Sequence, residues 1–267
     1  MANHISGMPL WAILLFIAAF LYFIAFIIRP VKQAALDAGM TPRKAVNIQI
    51  GIFSFYVVFL VYVSFFSLRG VFEVNSLPPK VTVWAGLPLA IFLFAFIGNT
   101  RLFKILLRSI KLESLIAIHI FRVLGVFFLL LYSYQLLPAT FAFFAGLGDI
   151  ITAILAWPVA KMVSKRRPGW KMAVYAWNIF GIMDIVDLLT IAVMIGANGN
   201  LREMTVFPFS WFPAFAPATI LFLHISVFRK LRQLKKSSNN LSVSGNCELN
   251  VIFDDATSAK NPYRGSL

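Results

Sequence analysis

Long apolar runs, separated by short polar segments, dominate the chain. Seven of these runs have about the 17–25 residues that an α-helix needs to cross roughly 30 Å of hydrocarbon. They lie at 9–29, 47–68, 81–99, 113–135, 138–160, 172–195 and 208–228. The pattern predicts an all-α integral membrane protein with seven transmembrane helices.

Basic residues alternate between the predicted loops and indicate an orientation. Four follow the first span, four the third, five the fifth and five the seventh, whereas the opposite loops hold only Arg69, Lys80 and Arg202. Cytoplasmic loops carry an excess of Lys and Arg, so the N-terminus is expected outside and the C-terminus in the cytoplasm. Residues 1–28 contain no Lys or Arg, which favours an uncleaved first helix over a signal peptide.

Composition supports the membrane assignment. Hydrophobic residues make up 60% of the chain, the mean hydropathy is +0.83, and charged residues are 13%, against about 25% in soluble domains. The net charge of +14 lies mainly in the predicted cytoplasmic loops, so we expect the lipid bilayer and not nucleic acid as the partner. A single cysteine, Cys247, permits neither an intrachain disulfide nor a cysteine metal site. We expect no metal and no cofactor.

Two basic segments flank predicted spans on the cytoplasmic side. Arg101–Lys111 has a basic residue every three or four positions, which is typical of an amphipathic helix on a membrane surface. Arg229–Lys236 follows the last span. Both are predicted to contact anionic lipid.

The composition changes after residue 236. Residues 237–267 are mostly small and polar, which predicts a disordered cytoplasmic tail after a transmembrane domain at 1–236. The compact arrangement and short loops suggest a bacterial inner membrane.

Four charged residues lie inside the predicted spans, namely Arg122, Asp149, Asp184 and Asp187. Each costs about 2.5–3.5 kcal/mol at the centre of a membrane helix, so the four require roughly 10–14 kcal/mol of compensation. At 1.5 Å per residue, Arg122, Asp149 and Asp184 lie about 13–18 Å from the entrances of spans four, five and six. Three helices are thus predicted to bring charges to one layer near the midplane.

Helical spacing gives these residues a direction. Asp149 shares one face of span five with Ala142, Gly146, Ala153 and Ala156, and such small residues allow membrane helices to approach closely. Asp187 is offset from Asp184 by about 60° around span six and is predicted on an outer access path.

Two histidines lie near the same layer. His119 shares a face with Arg122 on span four, and His224 lies towards the cytoplasmic end of span seven. Both are predicted as polar groups on the cytoplasmic side of the centre.

The charges do not balance. Three ionised aspartates against one arginine leave excess negative charge, which is untenable in a low-dielectric interior. Protonation of one or two aspartates, a bound cation or access of water would resolve this. The leading hypothesis is therefore a small transporter or sensor with a proton- or cation-binding centre between the fourth, fifth and sixth spans.

Two alternatives remain open. The first is a structural or partner-binding membrane subunit in which the charges form an inert ion-pair network. The second is an intramembrane lipid-modifying enzyme, since Asp184-x-x-Asp187 resembles half of the paired acidic motifs of intramembrane prenyltransferases. The second acidic motif is absent, and the pair lies deep in the span.

The predicted topology also resembles that of rhodopsins and G-protein-coupled receptors. Span seven contains no lysine for a retinal Schiff base, and one cysteine cannot form the extracellular disulfide that is expected of such receptors. The resemblance is limited to topology and assigns no family.

Overall fold

The protein is built of helices throughout the residues that its computed structural model describes, which are 4–73, 78–196 and 200–258. Seven of these helices are long and apolar enough to cross a membrane. They are α1 (Leu10–Asp37), α2 (Pro42–Leu68), α3 (Thr82–Asn99), α5 (Leu112–Ser133), α6 (Ala139–Ser164), α7 (Trp170–Gly196) and α8 (Trp211–Ser258). A shorter helix, α4 (Arg101–Ser109), lies between α3 and α5. Each predicted span overlaps one helix, so the prediction of an all-helical chain with seven helices that could span a membrane is confirmed for the described residues.

The helix α1 extends beyond the predicted span. It continues through Pro30 to Asp37, because an established helix gains one hydrogen bond for each added residue other than proline, whether or not that residue is apolar. Gly39, with a φ of +78°, follows its end. The helix α2 then begins with Thr41 as its cap, whose hydroxyl accepts a hydrogen bond from the Lys44 amide at 3.4 Å.

The last helix also differs from the prediction. It is described from Trp211 to Ser258 and therefore covers most of the segment 237–267 that was predicted to be a disordered tail. Propagation of an existing helix costs far less than nucleation of a new one, which accounts for the continuation. Residues 259–267 lie outside the described residues. The chain divides into two compact units, 1–227 and 228–267.

Within the first unit, α5 is the most enclosed of the helices before α8. It packs against α1 and α6, and α6 packs against α7. The residues Ile118–Gly125 of α5 form a 3₁₀ stretch. A 3₁₀-helix has three residues per turn, so His119, Arg122 and Gly125 lie in one line along its axis.

An aromatic cluster joins α1, α5 and α8. The ring of Phe16 lies 4.6 Å from that of Phe209 and 5.1 Å from those of Phe127 and Phe212, between centroids. Such tilted and edge-to-face pairs are worth about 0.5–1.5 kcal/mol each beyond the buried area. The cluster fixes α5 against its neighbours one turn from the Arg122 layer.

One end of the bundle, here called the N-terminal end, joins the residues before α1 to the loops after α2 and α7. The Ser6 amide donates to the Phe207 carbonyl at 2.8 Å, and the Phe207 amide donates to the His4 carbonyl at 3.1 Å. The side chain of His4 contacts Glu73. Glu73 also accepts from Arg202 at 3.1 Å.

Candidate functional site

A single arginine connects four helices at the centre of the bundle. The Arg122 side chain, on α5, is fully buried. Its Nε donates to Asp149 Oδ1 of α6 at 2.6 Å, and one terminal nitrogen donates to Asp184 Oδ2 of α7. The other terminal nitrogen lies 3.3 Å from the Gly181 carbonyl and 3.2 Å from His224 Nε2 of α8. We call Arg122, Asp149, Asp184 and His224 the Arg122 centre.

Two glycines allow Arg122 to reach Asp149. A Cβ on Gly125 of α5 would lie 2.5 Å from the Cβ of Asp149 and 3.0 Å from the carbonyl oxygen of Gly146. A Cβ on Gly146 of α6 would in turn lie 3.0 Å from the Gly125 carbonyl oxygen. The two helix backbones therefore touch at this point, as small residues permit in membrane helices.

Two further glycines leave space for the side chains of His224 and Asp184. A Cβ on Gly181 would overlap the ring of His224, and a Cβ on Gly148 would overlap the carboxylate of Asp184. The small-residue face of span five predicted the role of Gly146. Gly148 lies on the other side of α6, so its contact with Asp184 could not be predicted from that face.

Hydrogen-bond directions define which ring nitrogen of His224 carries the proton. Arginine has no acceptor, so His224 Nε2 must accept from Arg122. The ring proton then sits on Nδ1, which donates to Asn178 Oδ1 at 2.8 Å. The Asn178 amide group donates to the His224 carbonyl at 3.0 Å, which orients its oxygen towards the ring. His224 is thus a neutral part of the centre and lies closer to Arg122 than predicted.

His119 is fully buried beside this group. Its ring lies 4.1 Å from that of His224 and meets Trp177 edge to face at 5.0 Å, between centroids. Neither ring nitrogen of His119 has a hydrogen-bond partner among the described residues. Trp177 donates to the Thr152 carbonyl at 3.0 Å, so the wall around His119 is anchored to α6.

Asp187 lies beside Asp184, but Arg122 bonds to Asp149 and Asp184 and not to Asp187. Asp184 is 10% exposed at its side chain and lines a groove between α6 and α7. Asp187 is exposed and lines the same groove. Arg122 directs its bonds to Asp149 and Asp184, so Asp187 is a groove residue outside the centre. Within the described ranges, no group of three or more His, Cys, Asp or Glu is placed to hold a metal ion.

A cavity of about 380 Å³ reaches the centre from the N-terminal end. Glu73 and Arg202 line it at that end, and Asp149 lines it at the level of Arg122. Its wall between them comes from α3, α5, α6, α7 and α8. Sequence reasoning missed this cavity, because no single helix pattern encodes a space that five helices share.

The seven long apolar helices among the described residues indicate a multi-pass membrane protein, and its helices enclose a buried ionic centre. Residues 78–232, more than half of the chain, match a family model described as a domain of unknown function, DUF8737. The chain belongs to this family. The matched region contains every residue of the Arg122 centre. Neither a curated protein nor a solved structure matches the chain.

Proposed function

We propose that the protein is a small membrane transporter or sensor that binds a proton at the Arg122 centre. The supporting observation is that one guanidinium is bonded to both Asp149 and Asp184. If both carboxylates are ionised, the centre carries one excess negative charge. Burial makes that charge costly, and a single proton on either carboxylate removes it.

The geometry favours a proton over a metal cation. The guanidinium of Arg122 already occupies the space between the two carboxylates, where a metal ion would need to bind. A proton requires no such space. Asp184 also borders the groove that exposes Asp187, which gives the proton a path to the centre.

The orientation of the chain belongs to this proposal. With the N-terminus outside, the cavity that reaches Asp149 would open outwards, and the basic loops would face the cytoplasm. The bacterial inner membrane stays a prediction.

Infrared spectroscopy of the purified protein tests whether the Arg122 centre binds a proton. We expect wild-type protein at neutral pH to show the carbonyl stretch of one protonated carboxyl group. Asp184→Asn and Asp149→Asn should each abolish this band, because the remaining arginine–aspartate pair is neutral without a proton. Asp37→Asn is the control, since Asp37 is exposed on α1 and contacts only Gln33 among the bonds described.

The same spectra separate the proposal from its alternatives. An inert ion-pair network in a structural subunit predicts no such band, and both Asp→Asn variants would then only lower thermal stability. A band that persists in both variants would place the proton elsewhere and contradict the proposal. A lipid-modifying enzyme, the remaining alternative, would need a cavity open from the cytoplasm to Asp184.

We also propose that α4 binds anionic lipid at the membrane surface. Its buried Leu107 and half-buried Phe103 and Leu106 line an apolar cavity, while Arg101 and Lys104 are exposed. Each basic residue near an anionic surface contributes about 1 kcal/mol. The second predicted segment, Arg229–Lys236, stays a prediction.

Lipid-dependent stability tests the α4 proposal. We expect the protein to be more stable in phosphatidylglycerol than in phosphatidylcholine. Replacing Arg101, Lys104 and Lys111 by glutamine should reduce this difference in the free energy of unfolding by up to about 3 kcal/mol. The control is a second triple glutamine variant, at Lys161, Lys165 and Arg166. These three residues carry the same total charge but do not belong to the amphipathic helix. Equal losses in both triple variants would mean a non-specific effect of charge.

A further inference from the structure

The cavity that reaches the Arg122 centre has an apolar wall. Between its two ends it is lined mainly by aliphatic and aromatic side chains, including Phe72, Phe128, Phe141, Ile185, Leu188 and Phe212. Its volume of about 380 Å³ falls at the small end of the range for ligand pockets, about 300–1,000 Å³. An occupant must therefore be small and must have an apolar body.

A group of charged residues lies at each end of the cavity, which Asp149 lines at its inner end and Glu73 and Arg202 line at its other end. At the inner end, Arg122 faces Asp149 and Asp184. At the N-terminal end, Arg202 pairs with Glu73 at 3.1 Å and with Glu203 at 3.4 Å. Among the residues that the structure describes, each group thus holds two carboxylates and one guanidinium, and the neighbouring His4 adds a positive charge only when it is protonated. This balance favours a cation over an anion.

The aromatic wall supports the same choice. Four phenylalanines line the cavity, namely Phe72, Phe128, Phe141 and Phe212. Aromatic rings pack against the apolar body of a ligand, and their faces also attract a nearby ammonium group. A neutral ligand would gain apolar contact here but could not replace the proton that balances the charge of Asp149 and Asp184.

We propose that this cavity binds a small organic amine as its ammonium cation, with the charged group at Asp149 and the apolar body among the phenylalanines. This inference rests on the proposed function, since the ammonium group and the proton neutralise the same excess charge. Binding of one then favours release of the other. The centre would exchange one proton for one amine cation.

Three matched probes test the charge preference. They are 2-phenylethylammonium, 2-phenylethanol and 3-phenylpropanoate, titrated into the full-length protein in lipid nanodiscs by calorimetry. We expect the ammonium probe to bind about tenfold or more tightly than the alcohol, because a charge-assisted hydrogen bond contributes about 1.5–3 kcal/mol. The carboxylate probe should bind weakest. Equal binding of all three probes would overturn the proposal.

Two variants locate the site. Asp149→Asn should weaken the binding of the ammonium probe about tenfold or more. Ala192→Trp fills the cavity from α7, away from the Arg122 centre, and should abolish binding while the infrared band remains. Ala18→Trp, on an exposed face of α1, is the control and should change neither. Binding that survives Ala192→Trp would also overturn the proposal.

Failure of this inference is distinguishable from failure of the proposed function. An intact infrared band with no preference for the ammonium probe rejects the amine site and leaves the proton site standing. Selective ammonium binding without a band rejects the proton and the exchange, and leaves only a cation-binding cavity. Loss of the band on addition of 2-phenylethylammonium supports both.

Discussion

Replacing Arg122 by methionine will lower the free energy of unfolding by about 3–5 kcal/mol, as expected when one partner of a buried ion pair is removed. The change leaves the carboxylates of Asp149 and Asp184 buried without a cation. It also removes the donor for His224 Nε2 and for the Gly181 carbonyl. Methionine fills a similar volume, so the loss reflects charge and hydrogen bonds more than packing. Denaturant titration of the purified protein, followed by circular dichroism, measures the effect.

A compensating variant separates charge from packing. The triple variant Arg122→Met, Asp149→Asn, Asp184→Asn has no buried charge at the centre and should recover most of the lost stability. Arg29→Met, at an exposed position of α1, should stay within about 0.5 kcal/mol of the wild-type protein. If the triple variant were no more stable than Arg122→Met, the instability could not be assigned to unpaired carboxylates.

The second large effect is expected at Gly125. Its replacement by alanine places a methyl group 2.5 Å from the Cβ of Asp149 and 3.0 Å from the Gly146 carbonyl oxygen. Both are parts of the rigid α6, so α5 and α6 must separate. Overpacking of this kind costs about 1–3 kcal/mol, and the separation also lengthens the Arg122–Asp149 bond. Thermal unfolding and the infrared band should both change.

The control for this prediction is Gly51→Ala on α2. A Cβ at Gly51 has no atom within 4 Å, so the substitution should stabilise the helix by up to about 1 kcal/mol, the difference in helix propensity. Equal effects at Gly51 and Gly125 would show that backbone propensity and not helix contact determines the outcome.

The helices themselves were predictable from the sequence. Length and hydropathy identify a membrane helix because the bilayer imposes both. Burial of Asp149 was also predictable, since Ala142, Gly146, Ala153 and Ala156 define one face of α6, and all four are buried. The convergence of Arg122, Asp149 and Asp184 followed from their equal depth.

Other parts of the site could not be predicted from periodicity. Helical spacing gives a residue a face but not the rotation of one helix relative to another, so the contact between His224 and Arg122 was not foreseen. Hydropathy also does not distinguish an α-helix from a 3₁₀-helix. The alignment of His119, Arg122 and Gly125 along the helix axis depends on the 3₁₀ geometry and was therefore not predicted. The cavity depends on five helices together.

The 3₁₀ stretch of α5 connects the Arg122 centre to the thickness of the bilayer. A 3₁₀-helix rises about 2.0 Å per residue and an α-helix 1.5 Å, so the eight residues Ile118–Gly125 span about 4 Å more than they would as an α-helix. Hydrophobic mismatch acts on helices at fractions of a kcal/mol per Å. A thinner membrane is therefore expected to favour a shorter, α-helical form of this stretch, in which the angle between successive side chains changes and Arg122 would turn relative to its partners. Lipid chain length should then change the stability of the Arg122 centre.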